Sequence, residues 1–456
     1  MVLPRQWGHK NARRLKPKPF TQPMTPNYAQ LDQWIDTHFD EEVRFLQELV
    51  RVPTDTPPGN NAPHAVRTAE LLAAMGLHAE QHAVPQAEVL AQGMQSITNL
   101  IVRRHFGTHA ERGPTVALNA HGDVVPPGDG WQHEPYGAQI ESGRLYGRAA
   151  AVSKSDFATY TFALRALDAL ALLAPNGTRL QGSVELHFTY DEEFGGELGP
   201  GWLLRHKLTK PDLMIAAGFS YEVVNAHNGC LQLEVTVLGT AAHAAIPASG
   251  VDALQATHKI LTALYAQNAL YKLSHSKVPG IGHPYLNVGR IEGGSNTNVV
   301  PGKVTLKLDR RMIPEEDTAL VELAIRKVIT DAAALTPGIR VEIKRLLLAQ
   351  SMQPLPGSGP MVAAIQKHGL AVFGEKIPAM GTPLYTDVRL YAAAGIPGVI
   401  YGAGPRTVLE SHAKRADECL VLEDLRRATQ VVARTLFDLL HAPPATAPGN
   451  PTTGSP

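Results

Sequence analysis

The sequence predicts an α/β protein: a mostly parallel sheet covered by helices, interrupted by an inserted ferredoxin-like α+β unit. Three observations carry this. Apolar strand-like runs alternate with segments of helical periodicity through the first half, the pattern of a parallel sheet with helices on both faces. Near residue 229 the rhythm changes to β-α-β-β-α-β, the split βαβ order of a small separate domain. After about residue 350 helix and strand alternation resumes. A chain of 456 residues is also too long for one ordinary core.

The elements follow in order. Residues 1–27 (MVLPRQWGHKNARRLKPKPF and onward) are basic and carry no acidic side chain. They lack the apolar core of a secretion signal and read as a flexible extension, although the composition also suits an organelle transit peptide. From Tyr28, AQLDQWIDTHFDEEVRFLQELV has apolar residues at helical spacing, and HAVRTAELLAAMGL repeats the pattern. NLIVRR and TVALNAHGDVV read as strands, and AQIESGRLYGR as a hairpin turned by Ser-Gly. FATYTFALRALDALALL is a long buried helix and SVELHFTYDEE a strand. In the insert, CLQLEVTVLG, YLNVGRIEGG, KVTLKLDRRMI and RVEIKRLLL are strands, while VDALQATHKILTALYAQN and TALVELAIRKVITDAAA are helices. MVAAIQKHGLAVFG and GVIYGAG complete the main domain. The expected division is therefore a main domain over 28–228 and 350–441, an inserted domain over 229–349, and a disordered Pro/Thr/Gly-rich tail over 442–456.

Composition narrows the function classes. Lys plus Arg and Asp plus Glu balance at 42 each, so nothing electrostatic favours nucleic acid or an anionic membrane. No run of about 18 apolar residues offers a transmembrane span. The two cysteines, Cys230 and Cys419, form neither a disulfide framework nor a CxxC zinc site, and a reducing cytoplasm is the expected location.

Two acidic or histidine-bearing strand ends stand out. His121-Gly122-Asp123 closes an apolar strand, where sites of open α/β sheets gather. The spacing lets Asp123 orient a metal-binding His121, yet HxD alone would read as a hydrogen-bonded strand-end histidine. Asp191-Glu192-Glu193 also ends a buried strand. Three adjacent carboxylates repel one another unless a cation or shared proton relieves them. In isolation the triplet would be a solvated loop; at a strand end beside His121 it points to metal binding and proton transfer from water.

With these motifs, the ordered series NAHGDVVPPGDGW, GRLYGRAAA, YDEEFGG, GTAAHAAIPASGVDA, GGSNTNVVPG, LDRRMIP and YTDVRLYAAAGIP resembles the aminoacylase and carboxypeptidase G metallopeptidase family. That family includes the acetylornithine and succinyl-diaminopimelate deacylases. The resemblance spans roughly residues 30 to 440. It implies a zinc-binding catalytic domain with an inserted lid or dimerisation domain, and a homodimer joined through the lid. His121 would ligate one metal with Asp123 behind it, Glu192 would be the general base, and Glu193 would ligate the second metal. His243 matches the lid histidine that steadies the oxyanion in a neighbouring subunit. Asn298 and Arg311 match positions that hold the substrate carboxylate, which suits the planar fork of arginine. Without the motif order, Arg311 would read as a surface ion pair and Asn298 as a turn residue.

The sequence also departs from the pattern. Val152 stands where relatives carry the aspartate that bridges the metals, and valine cannot ligate. Asp156 lies one helical turn on. Gly218 stands at a second acidic ligand position, with Glu222 nearby but out of register. The last ligand, a histidine four residues before a glutamate, aligns with Lys414 when counted from Glu418, while His412 lies two residues earlier. The expected donors are then His121, Glu193, His412 and Asp156, for one or two ions of zinc, with cobalt or manganese as substitutes. Three ligands and an open water position would suffice for one ion, and Lys414 could replace part of the missing charge.

The reading that follows is a metal-assisted hydrolase cleaving an amide in a small substrate with a carboxylate, such as an N-acyl amino acid or dipeptide-like compound. Two alternatives remain open. One is a degenerate ligand-binding or regulatory protein, for which Val152 and Gly218 speak. The other is a metal-independent acid–base catalyst using Glu192 and Lys414.

Overall fold

The computed structural model describes residues 28–107, 113–173 and 180–441; the basic extension and the Pro/Thr/Gly-rich tail lie outside them. The largest element is an eight-stranded sheet. Its strands run in the order Ala79–Ala83, Thr98–Phe106, Gly182–Thr189, Thr115–His121, Leu213–Ala216, Gly398–Ile400, Val223–His227 and Ala379–Thr382. The central four strands, from Gly182–Thr189 to Gly398–Ile400, are mutually parallel. Two antiparallel strands extend one edge. The parallel block fixes where chemistry can occur, since Thr189, His121, Ala216 and Ile400 all end at the same side of the sheet.

Helices cover this sheet because their apolar stripes need burial. Tyr28–Val50 buries Leu31, Ile35, Phe45, Leu46 and Leu49, at spacings of three and four. Lys154–Leu173, the long helix read from the sequence, is buried along most of its length. Leu422–His441 packs against both, and Gly359–Phe373 packs against Leu422–His441. The Ser142-Gly143 turn joins Gln139–Glu141 to Arg144–Tyr146 with φ of 50° and 74°, the left-handed pair of a tight hairpin.

The insert forms a separate four-stranded antiparallel sheet in the order Tyr285–Gly293, Lys303–Met312, Gly229–Leu238, Arg340–Ala349. Its strands alternate as the sequence predicts: Leu231, Leu233, Val235 and Val237 are buried while Gln232, Glu234, Thr236 and Leu238 are less so. Ala253–Tyr271 and Thr318–Ala334 cover that face with Ile260, Leu264, Ile325 and Ile329, giving the insert its own apolar core. The chain enters and leaves this unit side by side, since Cys230 pairs with Ala349. Among the described residues, no helix is long and apolar enough to cross a membrane.

Candidate active site

A cavity of about 470 Å³ opens at the carboxyl ends of the parallel strands and is closed on its far side by Gln232 and Arg311 of the insert. His121 is its first landmark. Its Nδ1 lies 3.0 Å from the Asp123 carbonyl oxygen and 3.4 Å from Asp123 Oδ1, and its Nε2 lies 3.9 Å from Glu192 Oε2. Burial disfavours the imidazolium, but the carboxylates of Glu192, Asp123 and Glu193 prevail and push His121 up to about 10.

Asp123 does more than face His121. Its fully buried carboxylate accepts the backbone N–H groups of Glu192 and Glu193, at 3.2 and 3.0 Å. The turn Glu192–Phe194 is therefore held from the strand bearing His121. The acidic triplet separates into three roles. Asp191 turns inward, where its carboxylate accepts the Leu198 N–H. Glu192 faces the cavity, and its pKa is raised by burial against the opposing pull of His121. Glu193 Oε2 receives the Lys414 ammonium at 2.6 Å. Partial desolvation at the cavity mouth works against the Lys414 charge, but the carboxylates of Glu193 and Glu192 prevail and raise its pKa.

Of the four expected metal donors, His121, Glu193 and Asp156 line this cavity without forming a metal-holding group, and His412 lies outside it. His412 is exposed, and its Nδ1 lies 3.3 Å from the Ala416 carbonyl oxygen instead of facing the cavity. The cause is local: His412 and Lys414 both take left-handed backbone conformations, φ 53° and 61°, which reverse the chain and direct the lysine to Glu193. Glu418 anchors this loop through Arg148 Nη1 at 2.7 Å and the Ala151 N–H at 3.1 Å.

Asp156 lines the cavity, yet its Oδ1 accepts the Ala403 N–H at 2.7 Å, and burial pushes its pKa up to about 8. Its carboxyl is thereby committed to the Ala403 N–H. Val152 presents an apolar side chain. A Cβ on Gly218 would lie 2.2 Å from Ile400 Cγ2, so the space for an acidic side chain is filled. Glu222 is not on the cavity wall. Among the described residues, no group of three or more His, Cys, Asp or Glu is arranged to hold a metal ion. The donor set of His121, Glu193, His412 and Asp156 expected for zinc, cobalt or manganese does not fit one.

The substrate-facing residues divide in the same way. Arg311 reaches the cavity, with Nε held by Asp309 Oδ1 at 2.8 Å and its guanidinium 5.8 Å from the Tyr385 ring. Gln232 Nε2 binds the other oxygen of Asp309 at 3.0 Å. His243 and Asn298 stand apart on an exposed ribbon of the insert, where the Ala244 N–H donates to the Asn298 carbonyl at 2.9 Å. Neither lines this cavity. Sequence reasoning missed Gln232, Tyr385 and Asp387. The first shares a strand face with Cys230 by simple alternation, and the other two lie in the YTDVRL motif. Asp387 is buried at the cavity wall, with Oδ2 lacking a hydrogen-bond partner and its pKa raised by burial and by Glu192.

A cavity at the carboxyl ends of a parallel sheet, walled by an inserted antiparallel domain and carrying a His-x-Asp and a Glu-Glu pair, is the architecture of a two-domain amide hydrolase. The chain belongs to peptidase family M20/M25/M40, whose family model matches residues 117–438. It is 27% identical over 404 residues to a succinyl-diaminopimelate desuccinylase of Methylobacterium nodulans, covering 86% of this chain and 94% of that one. It is 26% identical to mouse aminoacylase-1 over 359 residues, covering 74% and 82%. Among solved structures, a metallo-carboxypeptidase of the M20 family from Sulfolobus solfataricus matches with a TM-score of 0.70 at 18% identity, covering 88% and 99%. A dinuclear metal-binding M20 peptidase of Bacillus subtilis matches with a TM-score of 0.62 at 18% identity, covering 89% and 99%.

Proposed function

We propose that this chain hydrolyses the amide bond of a small substrate bearing a carboxylate, an N-acyl amino acid or dipeptide-like compound, in the cavity between sheet and insert. The observation that carries the reading is Glu192, a carboxylate at the cavity wall with a raised pKa, facing His121 and fixed by Asp123. Its depressed acidity suits a base that takes a proton from water and returns it. The water oxygen bonds to the carbonyl carbon, and its proton passes to Glu192. The carbonyl π pair moves to oxygen and then re-forms the double bond as the C–N bond breaks. Glu192 gives its proton to the departing nitrogen, so acid and amine leave together.

The Asp309-braced Arg311 fits the substrate carboxylate, because two parallel N–H donors match two oxygens. His243 and Asn298, exposed and away from this cavity, suit a homodimer in which the insert completes the partner's site. The desuccinylase and aminoacylase relatives support the substrate class. The test is turnover of a panel of N-acyl amino acids and dipeptides by the chain and by Glu192→Gln. Turnover that Glu192→Gln abolishes supports the reading, and no turnover of any member by the native chain overturns it.

A second reading, a ligand-binding protein of this fold, is favoured by Val152 and by the Ile400 side chain filling the space beside Gly218. Calorimetry separates the two. Under it, panel compounds bind without turnover, and Glu192→Ala leaves their affinity unchanged.

A further inference from the structure

We infer that the Lys414 ammonium has taken the place of the metal ions at this centre, and that the chain opposes the developing oxyanion with this organic cation and no metal. The inference deepens the amide-hydrolase reading and rests on it for the identity of the reacting group.

The geometry argues for replacement over simple loss. Lys414 Nζ lies 2.6 Å from Glu193 Oε2; the Glu193 side chain is 8% exposed, while that of Lys414 is 54% exposed and reaches the carboxylate from the solvent side. An ammonium has three donors and no lone pair, so it can neutralise a carboxylate but cannot ligate. A metal ion on Glu193 would stand beside that ammonium, two cations sharing one oxygen, unless the lysine first moved away or lost its proton. Hydrogen bonding to Glu193 uses one of the three donors, and no second hydrogen bond of the ammonium occurs among the described residues. Two donors remain for a substrate oxygen.

The surrounding positions point in the same sense. Beside Gly218 the space is occupied by Ile400, so a carboxylate there would have to displace it. At Val152 an apolar side chain faces the cavity. Asp156, the acid within one helical turn, is pressed against the Gly402 backbone: a Cβ there would lie 1.9 Å from Asp156 Oδ1. The loop presenting Lys414 is built, not slack. His412, Lys414 and Asp417 all lie in left-handed conformations. Asp417 Oδ1 accepts the Gln132 and His133 N–H groups at 3.0 and 3.1 Å, and Glu418 is ion-paired to buried Arg148. A lysine held on one carboxylate by a braced loop, with the space beside Gly218 filled and an apolar side chain at Val152, marks a centre organised around an ammonium.

In the hydrolytic step this assigns Lys414 a defined place. As the water oxygen bonds to the carbonyl carbon and Glu192 takes the proton, the charge arriving on the carbonyl oxygen faces the ammonium. No electron or proton is left over, and Lys414 stays protonated throughout.

The experiment uses the full chain purified without chelators. Elemental mass spectrometry after incubation with zinc is expected to find no stoichiometric metal, and turnover on the panel is expected to be unchanged by chelator. Lys414→Met should lower kcat by about 10²–10³-fold, the cost of removing one oxyanion donor, with Lys414→Arg recovering part of it. Stoichiometric metal in the native chain, removed by chelator together with activity, would overturn the inference. A separate arm needs no substrate, so it stands if the panel shows no turnover. Zinc titration of the double variant Val152→Asp, Lys414→His should show at least about tenfold tighter binding than the native chain. Native binding as tight as the variant's would overturn the inference regardless of activity.

Discussion

Arg148 and Glu418 form an ion pair of 2.7 Å with side chains 0% and 1% exposed. A charge so deeply buried is tolerable only while its partner stays, because neither group can reach water. Arg148 also donates to the Pro127 carbonyl, and Glu418 accepts the Ala151 N–H, so the pair joins the segment before Val152 to the loop carrying Lys414. Removing one partner with Arg148→Ala should cost about 3–5 kcal/mol in urea unfolding, far more than a surface pair. If unfolding shifts by less than about 1 kcal/mol, the pair is not the anchor described.

Glu42 makes a pH prediction. It is buried, its Oε1 accepts the Thr429 hydroxyl at 2.6 Å, and burial pushes its pKa from 4.5 up to about 8. The folded state therefore holds a proton that the unfolded state releases between pH 4.5 and about 8. The stability it contributes is fully present below the lower value and is lost as pH rises through the upper one. The slope from this one group is about −1.4 kcal/mol per pH unit in that window. Glu42→Gln should flatten the pH dependence of unfolding by that amount, read from denaturation at pH 5, 6, 7 and 8.

The crowding at Gly218 can be measured as a coupling. Gly218→Ala sets a Cβ 2.2 Å from Ile400 Cγ2 and should destabilise by about 1–3 kcal/mol through overpacking. Ile400→Ala removes the clashing atom. The double variant should therefore cost less than the sum of the two singles, by at least about 0.5 kcal/mol. Strict additivity would show that the space is not contested.

The proposed grip of Arg311 on the substrate carboxylate predicts a split between binding and chemistry. Arg311→Lys keeps the charge but loses the two parallel donors, and it leaves Asp309 with a flexible partner. KM for a carboxylate-bearing substrate should rise about tenfold with kcat changed less. A fall in kcat at constant KM would place Arg311 with the reacting atoms instead.

Much of this was legible in the sequence because strand ends and periodicity are local signals. His121 and the Glu192-Glu193 pair end buried strands where the parallel block opens, as expected. The insert's alternation gave its four strands directly. Three strands of the main sheet escaped reading: Ala79–Ala83, Val223–His227 and Ala379–Thr382 are short and carry polar or glycine residues. Their state is set by neighbours in the sheet and not by their own propensity. The choice between His412 and Lys414 was likewise out of reach, since a left-handed backbone at two non-glycine positions reversed the loop. Nor does any spacing rule show that Asp156 is held by the Ala403 N–H, a contact made across the fold.

The pairing of Cys230 with Ala349 at the root of the insert has an evolutionary side. Departure and return of the chain are adjacent rungs of one ladder, so the unit between them is grafted at a single seam. Its core is its own, and it contributes Gln232 and Arg311 to a cavity whose His121 and Glu192 stand on the other body. Mutations that retune which molecule is gripped can accumulate on one side of that seam while those that alter bond breaking accumulate on the other. Recombination at the seam would exchange recognition without rewriting chemistry, leaving ancestry and specificity free to follow separate lineages within one gene.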